Sequence, residues 1–431
     1  MIKRTLKRIV VALLEMEAAL VLKKYKPKVI GITGNIGKTS TKDAIAAVLS
    51  KKYKVRKSEK SYNSEIGVPL TVLGISTAWS NPFGWIKNLV EGLFLILFKC
   101  DYPEWLVVEI GADRPGDISH TVSWLPLDIG VVTYVGNLPV HIEFFPSQKS
   151  LIREKAHVAE APKPPNGMVI LNHDNQIVFD MKDRAKAPVI TFGFSDAATI
   201  RASNEHITYT NDRPDGITFK VDYQGKSVPV RIQGAVGTQI VYTVLPAILV
   251  GASQGMNLVE ILDALSSYES PAGRSHIVEG IKGTTIIDDT YNSSPHALEA
   301  AVRTLGEIKT TGRKIAVLGD MMELGKHTID AHTKAGEMAA HVVDMLYVVG
   351  QRAKFFAEGA EAAGLKKEMI HLFEDSVAAG EHLQNVLQAG DVVLVKGSQY
   401  VRMEKTVEEI MAHPEYKEKL LVRQEKEWQN R

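Results

Sequence analysis

Short apolar runs and longer amphipathic stretches alternate along most of this chain. Val29, Ile30 and Ile32 form a β-rich run that ends in glycines, and helix formers follow from Asp43 to Leu49. Trp105–Ala112 (WLVVEIGA) reads as a buried strand with one carboxylate, Glu109, near its end. Asp128–Gly136 (DIGVVTYVG) and Gly167–Asn172 (GMVILN) read as two more, with a helical stretch over Ser147–Glu160 between them. That rhythm belongs to a doubly wound α/β sheet. Ligands of such sheets sit beyond the carboxyl ends of the strands, which aims Glu109 at the glycine turn after Ile32. Between Ile200 and Gln233 the pattern becomes strict alternation (ITYT, GITFKVDY, SVPVRI) broken by Asp-Gly and Gln-Gly, which predicts a small antiparallel excursion. A helix is expected over Thr238–Ala252. From Pro271-Ala-Gly-Arg274 the earlier rhythm restarts, and GTTIIDDTYN, RKIAVLGDM, MLYVVG and DVVLVKGS each run from a strand into a polar turn. The expectation is therefore α/β: a basic helix over 1–28, a central P-loop-type parallel-sheet domain over 29–270, and a second Rossmann-like α/β domain over 271–431. The charged segment Glu415–Arg431 is expected to be a frayed terminal helix.

With 431 residues, 45% hydrophobic and 23% charged, the chain has the make-up of a globular protein with a sizeable core. Its one cysteine, Cys100, excludes a disulfide framework and a cysteine-rich zinc site, and makes the cytoplasm the expected location. The net charge is +1, yet residues 1–60 hold 16 Lys and Arg against 4 Asp and Glu. Such an excess suits nucleotides, phosphorylated substrates or anionic lipid, and equally a solvated helix face. No interleaving of aromatic and basic residues points to nucleic acid. MIKRTLKR followed by IVVALL resembles a leader, but Glu15 and Glu17 interrupt it, no small-residue cleavage site follows, and it is too short to span a bilayer. Both it and LFLILF, Leu93–Phe98, have the character of membrane-surface segments. Core packing is the expectation for both.

The candidate chemistry begins at Gly34–Ser40, GNIGKTS. Gly34, Asn35, Ile36 and Gly37 form a turn whose backbone N–H groups can close on phosphates, at the start of a helix that opens with Lys38, Thr39 and Ser40. Lys38 supplies a point charge and the Thr39 hydroxyl a ligand for Mg²⁺. The spacing departs from G-x-x-x-x-G-K-[ST], because Ile32 stands where the first glycine is usual. A chance glycine turn before a helix is the bland alternative.

Taken in order, GITGNIGKTSTKD, NSEIGVPLTVLG, EIGADRPGDI, IDDTYNSSPHALEAAV, VLGDMMELG and DVVLVKGSQYVRMEK resemble the Mur ligase family, and within it the type that adds D-alanyl-D-alanine to a peptidoglycan precursor. The likeness runs from about residue 28 through nearly all of the chain. It implies an ATP-dependent amide ligase: ATP phosphorylates a precursor carboxylate, and an amine attacks the acyl-phosphate. It implies ATP and Mg²⁺, with Thr39 and Glu109 as metal ligands and a carbamylated Lys155 as a further anionic ligand. Read alone, Lys155 is a surface helix lysine. His141, in LPVHIEFF, matches a histidine near the acyl site, and read alone is a structural histidine. Arg274 matches the arginine that reaches the γ-phosphate from the domain junction. Asp289, Tyr291 and Asn292 match nucleotide contacts, and Asp320 a ribose contact. Read alone, Asp288-Asp289 are helix caps and Gly319-Asp320 a turn. Asn63, Lys396, Gly397 and Ser398 match substrate positions.

Gln399 stands where the family has an arginine, so the incoming group is expected to differ. Gln239-Ile240 replaces a usual His-Asn, and His157 stands where an acidic residue often follows the lysine. The family's UDP-sugar domain, ahead of the loop, is expected to be lacking. A UDP-linked precursor is then held weakly or through a separate precursor-binding protein. The alternatives are a relative that acts on a different or lipid-linked carboxylate, with peripheral membrane contact, and a non-catalytic nucleotide-binding partner subunit. Retention of Lys38, Thr39, Glu109, Lys155 and Arg274 argues against the last.

Overall fold

The computed structural model describes residues 2–59, 62–136 and 142–429. Its first sheet is built from β1 (Lys28–Thr33), β2 (Val55–Lys57), β3 (Trp105–Glu109), β4 (Ile129–Val132), β5 (Met168–Asn172), β6 (Val189–Gly193), β7 (Ile200–Thr210), β8 (Arg213–Tyr223) and β9 (Lys226–Gln233). The strand order is β2-β3-β1-β4-β5-β6-β7-β8-β9. Strands β2 through β7 pair in parallel, and β8 and β9 antiparallel. The alternating segment is thus antiparallel as expected, but it extends the main sheet with strands of 11, 11 and 8 residues. β1 is buried along its whole length after Lys28, as a strand covered on both faces must be. It lies between β3 and β4, so the loop after it opens at the point where the strand order turns.

Six helices accompany the first half of this sheet: α1 (Ile2–Tyr25), α2 (Lys38–Leu49), α3 (Gly67–Leu73), α4 (Pro82–Leu97), α5 (Asp117–Trp124) and α6 (Gln148–Glu160). One face is covered by α2 and the helix Thr238–Ser253, through Ile45, Val48 and Leu49 with Val244 and Ile248. The other is covered by α1, α3 and α6, through Leu14, Val21, Val72, Leu151 and Val158.

The run Leu93–Phe98 departs from the core packing expected of it. Its helix, α4, rests on α1 and α3 and buries only Asn88 and Gly92 fully. Phe83, Ile86, Val90, Leu93, Phe94, Leu97 and Phe98 are exposed. α1 is split: Val11, Leu14, Ala18, Val21 and Leu22 pack inward, whereas Ile9, Leu13, Met16 and Leu20 are exposed. A helix of this composition satisfies the core with one stripe and still has apolar residues left for the other.

The second sheet holds β10 (His276–Glu279), β11 (Thr285–Asp289), β12 (Lys314–Gly319), β13 (Met345–Val349), β14 (Ile370–Phe373) and β15 (Val392–Lys396), in the order β10-β11-β15-β12-β13-β14. All pairs are parallel except β10 with β11. Register sets Asp289 beside Lys396 at the carboxyl end. The terminal segment is not one frayed helix. Two consecutive short turns, Pro414–Tyr416 and Lys417–Leu420, are followed by non-helical residues and a last turn at Lys426–Gln429. Buried Arg423 pins them by an ion pair to Glu404 (3.0 Å) and a hydrogen bond to the Thr290 carbonyl (3.3 Å). A buried guanidinium requires fixed acceptors, so charge alone did not leave this segment loose.

Candidate active site

The loop after β1 is shaped by its glycines. Gly34 has φ 148°, and a Cβ there would lie 2.0 Å from Thr133 Oγ1. Gly37, in the left-handed region at φ 84°, is the N-cap of α2. Just beyond β4, Thr133 Oγ1 donates to the Ile36 carbonyl (2.6 Å), and Asn35 N donates to the Tyr134 carbonyl (2.6 Å). The first amides of α2 are thereby presented to the crevice with the positive end of the helix dipole.

Two ammonium groups converge on this loop. Lys38 Nζ donates to the Gly34 carbonyl at 3.1 Å, and Lys155 Nζ, from α6, donates to the same oxygen at 3.0 Å. Lys155 is 3% exposed. Burial, then the nearby Lys38 charge, brings its pKa down to about 7. Burial also lowers Lys38. An anion in the loop relieves both shifts, so the charge pattern asks for one.

Glu109, buried at the end of β3, accepts from Thr39 Oγ1 (2.8 Å) on one carboxylate oxygen and from Asn63 Nδ2 (2.8 Å) on the other. Arg274 arrives from the second half of the molecule. Its Nη2 donates to Thr39 Oγ1 at 3.3 Å, and its guanidinium lies 3.9 Å from the centre of the Tyr291 ring. Asp288 holds this junction: it accepts from Gly273 N (3.0 Å), Thr290 N (3.1 Å) and Thr290 Oγ1 (2.6 Å). Burial raises Asp288 to about 6. Asp289 accepts from Ser275 N (3.2 Å) and pairs with Lys396 Nζ (2.6 Å), which also donates to the Asn292 carbonyl (2.9 Å). Neither aspartate caps a helix, since the following helix, Pro295–Glu307, has Ser294 at its N-cap.

A cleft of about 1190 Å³ runs between the two halves. Gly34 to Lys38, Ser40, Asn63, Glu109, Lys155, Arg274, Asp289, Tyr291, Asn292, Lys396 and Ser398 all line it. Two expected positions are engaged elsewhere. Asp320 is buried against Arg352, accepting from its backbone N (3.0 Å) and guanidinium (3.3 Å). Gly397 is packed beneath Met403 and Gly319. His141 lies outside the described residues.

Four residues were not singled out from the sequence. Glu154, the residue before Lys155, caps α5: Oε1 accepts from Ile118 N (2.7 Å) and Ser119 N (2.9 Å), and Oε2 from Gly116 N (3.0 Å). Asp113, in the stretch EIGADRPGDI, opposes the lowering of both lysine pKa values. Tyr134 stacks on His296 of the second half, with centroids 4.4 Å apart and planes at 4°. Membership of quoted stretches was the only signal for Asp113 and His296.

Among the described residues, no group of three or more His, Cys, Asp or Glu is gathered to hold a metal. The Thr39 hydroxyl and the Glu109 carboxylate nevertheless fit Mg²⁺. They are hard oxygen donors beside a phosphate-type loop, and Mg²⁺ takes few protein ligands, completing its shell with water and substrate phosphates.

The description of the Mur ligase middle domain matches residues 32–82 and 88–251, and that of the Mur ligase glutamate ligase domain matches residues 273–399. Residues 83–87, in the first turns of α4, fall outside the match. The UDP-N-acetylmuramoyl-tripeptide–D-alanyl-D-alanine ligase of Mycobacterium leprae is 30% identical over 397 residues, covering 86% of this chain and 71% of that protein. The Bacillus subtilis protein of the same name is 25% identical, covering 93% and 79%. Among solved structures, the MurF ligase of Thermotoga maritima in complex with ADP superposes with a TM-score of 0.75 at 26% identity, over 93% of this chain and 83% of that one.

Proposed function

We propose that this chain, which belongs to the Mur ligase family of ATP-dependent, ADP-forming ligases, joins D-alanyl-D-alanine or a similar amine to a carboxylate of a peptidoglycan precursor. The observation that carries the reading is the convergence of Lys38, the Thr39–Glu109 pair, Lys155 and Arg274 on one cleft, with the Lys396–Asp289 pair on its far wall. ATP seats its phosphates in Gly34–Thr39. A carboxylate approaching a triphosphate is repelled, and preorganised cations offset that repulsion. Lys38 meets the phosphates from within the loop, and Arg274 reaches them from the second half. The acceptor carboxylate attacks the terminal phosphorus and ADP departs. The incoming ammonium gives up one proton to become an amine, its nitrogen attacks the acyl carbon, a second proton is lost, and phosphate leaves as the amide forms.

Mg²⁺, held by Thr39 and Glu109, supplies further positive charge at the phosphate oxygens when bound. Asn63 keeps Glu109 turned toward Thr39. Lys155, with its pKa brought near 7, is largely neutral just above neutral pH. A neutral amine adds CO₂ and releases one proton, becoming a carbamate, which replaces a cation by an anion suited to a second Mg²⁺. On the far wall Lys396 and Ser398 face the incoming carboxylate and Asp289 its ammonium, and Asn292 and Tyr291 border the nucleotide. Gln399, also on the cleft, offers an amide where a guanidinium fork would grip a carboxylate more strongly. Small-molecule substrates and a cytoplasmic reaction follow from this chemistry.

A lipid-linked precursor is the second reading. It is favoured by α1, whose Lys7 and Arg8 border the cleft while its outer stripe is apolar. A panel of UDP-linked and lipid-linked muramyl peptides, crossed with amines, tests both readings. The product mass should equal acceptor plus amine less water, with ADP formed in step. ADP release that no amine or acceptor stimulates would remove the assignment.

A further inference from the structure

We propose that the outer face of α1 and α4 seats this protein on an anionic lipid surface. On α4 the exposed residues Phe83, Ile86, Val90, Leu93 and Leu97 recur at spacings of three and four and are 49% to 79% exposed. They form one stripe on the side turned from the core. On α1, Ile9, Leu13, Met16 and Leu20 form a second stripe, 37% to 54% exposed. The two helices are locked together. Lys24 Nζ donates to the Leu95 (2.8 Å) and Ile96 (3.0 Å) carbonyls at the end of α4, and Tyr25 OH donates to the Phe98 carbonyl (3.0 Å). Single exposed apolar residues are ordinary on a protein surface, whereas two long stripes on adjoining helices mark a contact site.

The charges around the stripes choose the occupant. Arg8, Lys23, Lys26 and Lys99 are exposed on or next to these helices. The carboxylates of the same helices do not oppose them: Glu15 faces His120 (3.0 Å), Glu17 is buried against Gly92 of α4, and Glu91 pairs with Lys87 (3.5 Å). Phe and Leu on one face and a cationic border are what a helix lying in the interface of an anionic bilayer presents. No helix is long and apolar enough to cross a membrane among the described residues, so the contact is peripheral. α1 precedes the family match, and residues 83–87 in the first turns of α4, with Phe83 and Ile86 of the stripe, fall in its gap. The inference does not depend on which precursor or amine the cleft takes.

Flotation of the full chain with phosphatidylcholine vesicles, with and without phosphatidylglycerol, tests it. The protein should rise with the anionic vesicles, less so as salt is raised, and stay down with phosphatidylcholine alone. Ile86→Glu combined with Leu93→Glu should cut the bound fraction roughly tenfold, with thermal melting and ADP release in solution unchanged. Lys26→Glu combined with Lys99→Glu should weaken flotation with the anionic vesicles. Failure to float with anionic vesicles overturns the proposal, as does equal flotation of the Ile86/Leu93 variant. A dimer in light scattering that this variant dissociates, without flotation, assigns the face to a second copy and overturns it too.

Discussion

Lys38 and Lys155 share one carbonyl acceptor, and with Lys155 neutral or carbamylated Lys38 is the ammonium left to meet phosphate in the loop. Lys38→Ala should therefore lower turnover roughly 10²–10³-fold while leaving the melting temperature almost unchanged, since Lys38 bonds a loop carbonyl and holds no core element. Wild-type turnover in this variant would remove Lys38 from the chemistry. Lys155→Ala should be inactive, and the native enzyme should lose activity in CO₂-depleted buffer. A small carboxylate such as formate should partly restore the variant. Full activity of Lys155→Ala without bicarbonate would leave Lys155 a purely structural buried lysine. Residues in a local pattern were legible, because Gly34, Gly37, Lys38 and Thr39 sit within a few positions of one another. Glu154 and Asp288 were not. Glu154 bonds amides 35 to 38 positions away and Asp288 one 15 positions away, and no local spacing encodes either. Asp320, which the family resemblance matched to a ribose contact, has a carboxylate that accepts from the backbone and guanidinium of Arg352, a partner 32 positions away that no local spacing encodes.

At the scale of elements, the joint between α1 and α4 carries a titratable weakness. Burial raises Glu17 to about 7 from 4.5, and its Oε2 has no hydrogen-bond partner. Between those two values the folded protein retains a proton that the unfolded chain has released. Glu17's contribution is thus fully present at low pH and is lost as pH rises through 7. Glu17→Gln removes the ionisation, so it should raise the melting temperature more at about pH 8 than at about pH 5. An equal shift at both pH values would refute the account. The strands and most helices were readable because a buried strand and an amphipathic helix leave different periods in sequence. The outward face of α4 was not, because LFLILF has the same composition whether it meets a core or an open surface. The terminal segment was misread for the opposite reason. Its charge suggested solvent, but Arg423 is neutralised inside by Glu404.

Across the whole molecule, each sheet has its own cores, with Val236 and Ile207 of the first unit packed onto that of the second, and the catalytic groups divide between the two sheets. Lys38, Glu109 and Lys155 stand on the first sheet and its helices, whereas Asp289 and Lys396 end strands of the second. We propose that residues 29–270 and 271–431 are the units that move during turnover. The backbone joining them runs through Ser270–Ser275, where Gly273 has φ 69°, and it touches Gly234–Gly237, where Gly234 and Gly237 have φ 75° and 100°. Reacting atoms must come within roughly 3–3.5 Å, which requires the acceptor and the incoming amine to be pressed together from opposite walls. The Arg274–Thr39 contact already spans the gap, so binding should tighten a hinge that exists rather than assemble one. In a Cys100→Ser background, spin labels at the exposed positions of Lys186→Cys and Lys326→Cys report on the two units separately. The distance between them should shorten when a non-hydrolysable ATP analogue and an acceptor are both present, and less with either alone. Arg274→Ala should lose most of that shortening, because it removes the side chain that couples the junction to the loop. A distance that does not respond to ligands would mean that the cleft works in a fixed shape. The Gly234–Gly237 and Gly273 turns would then serve only to let the chain pass between the two sheets.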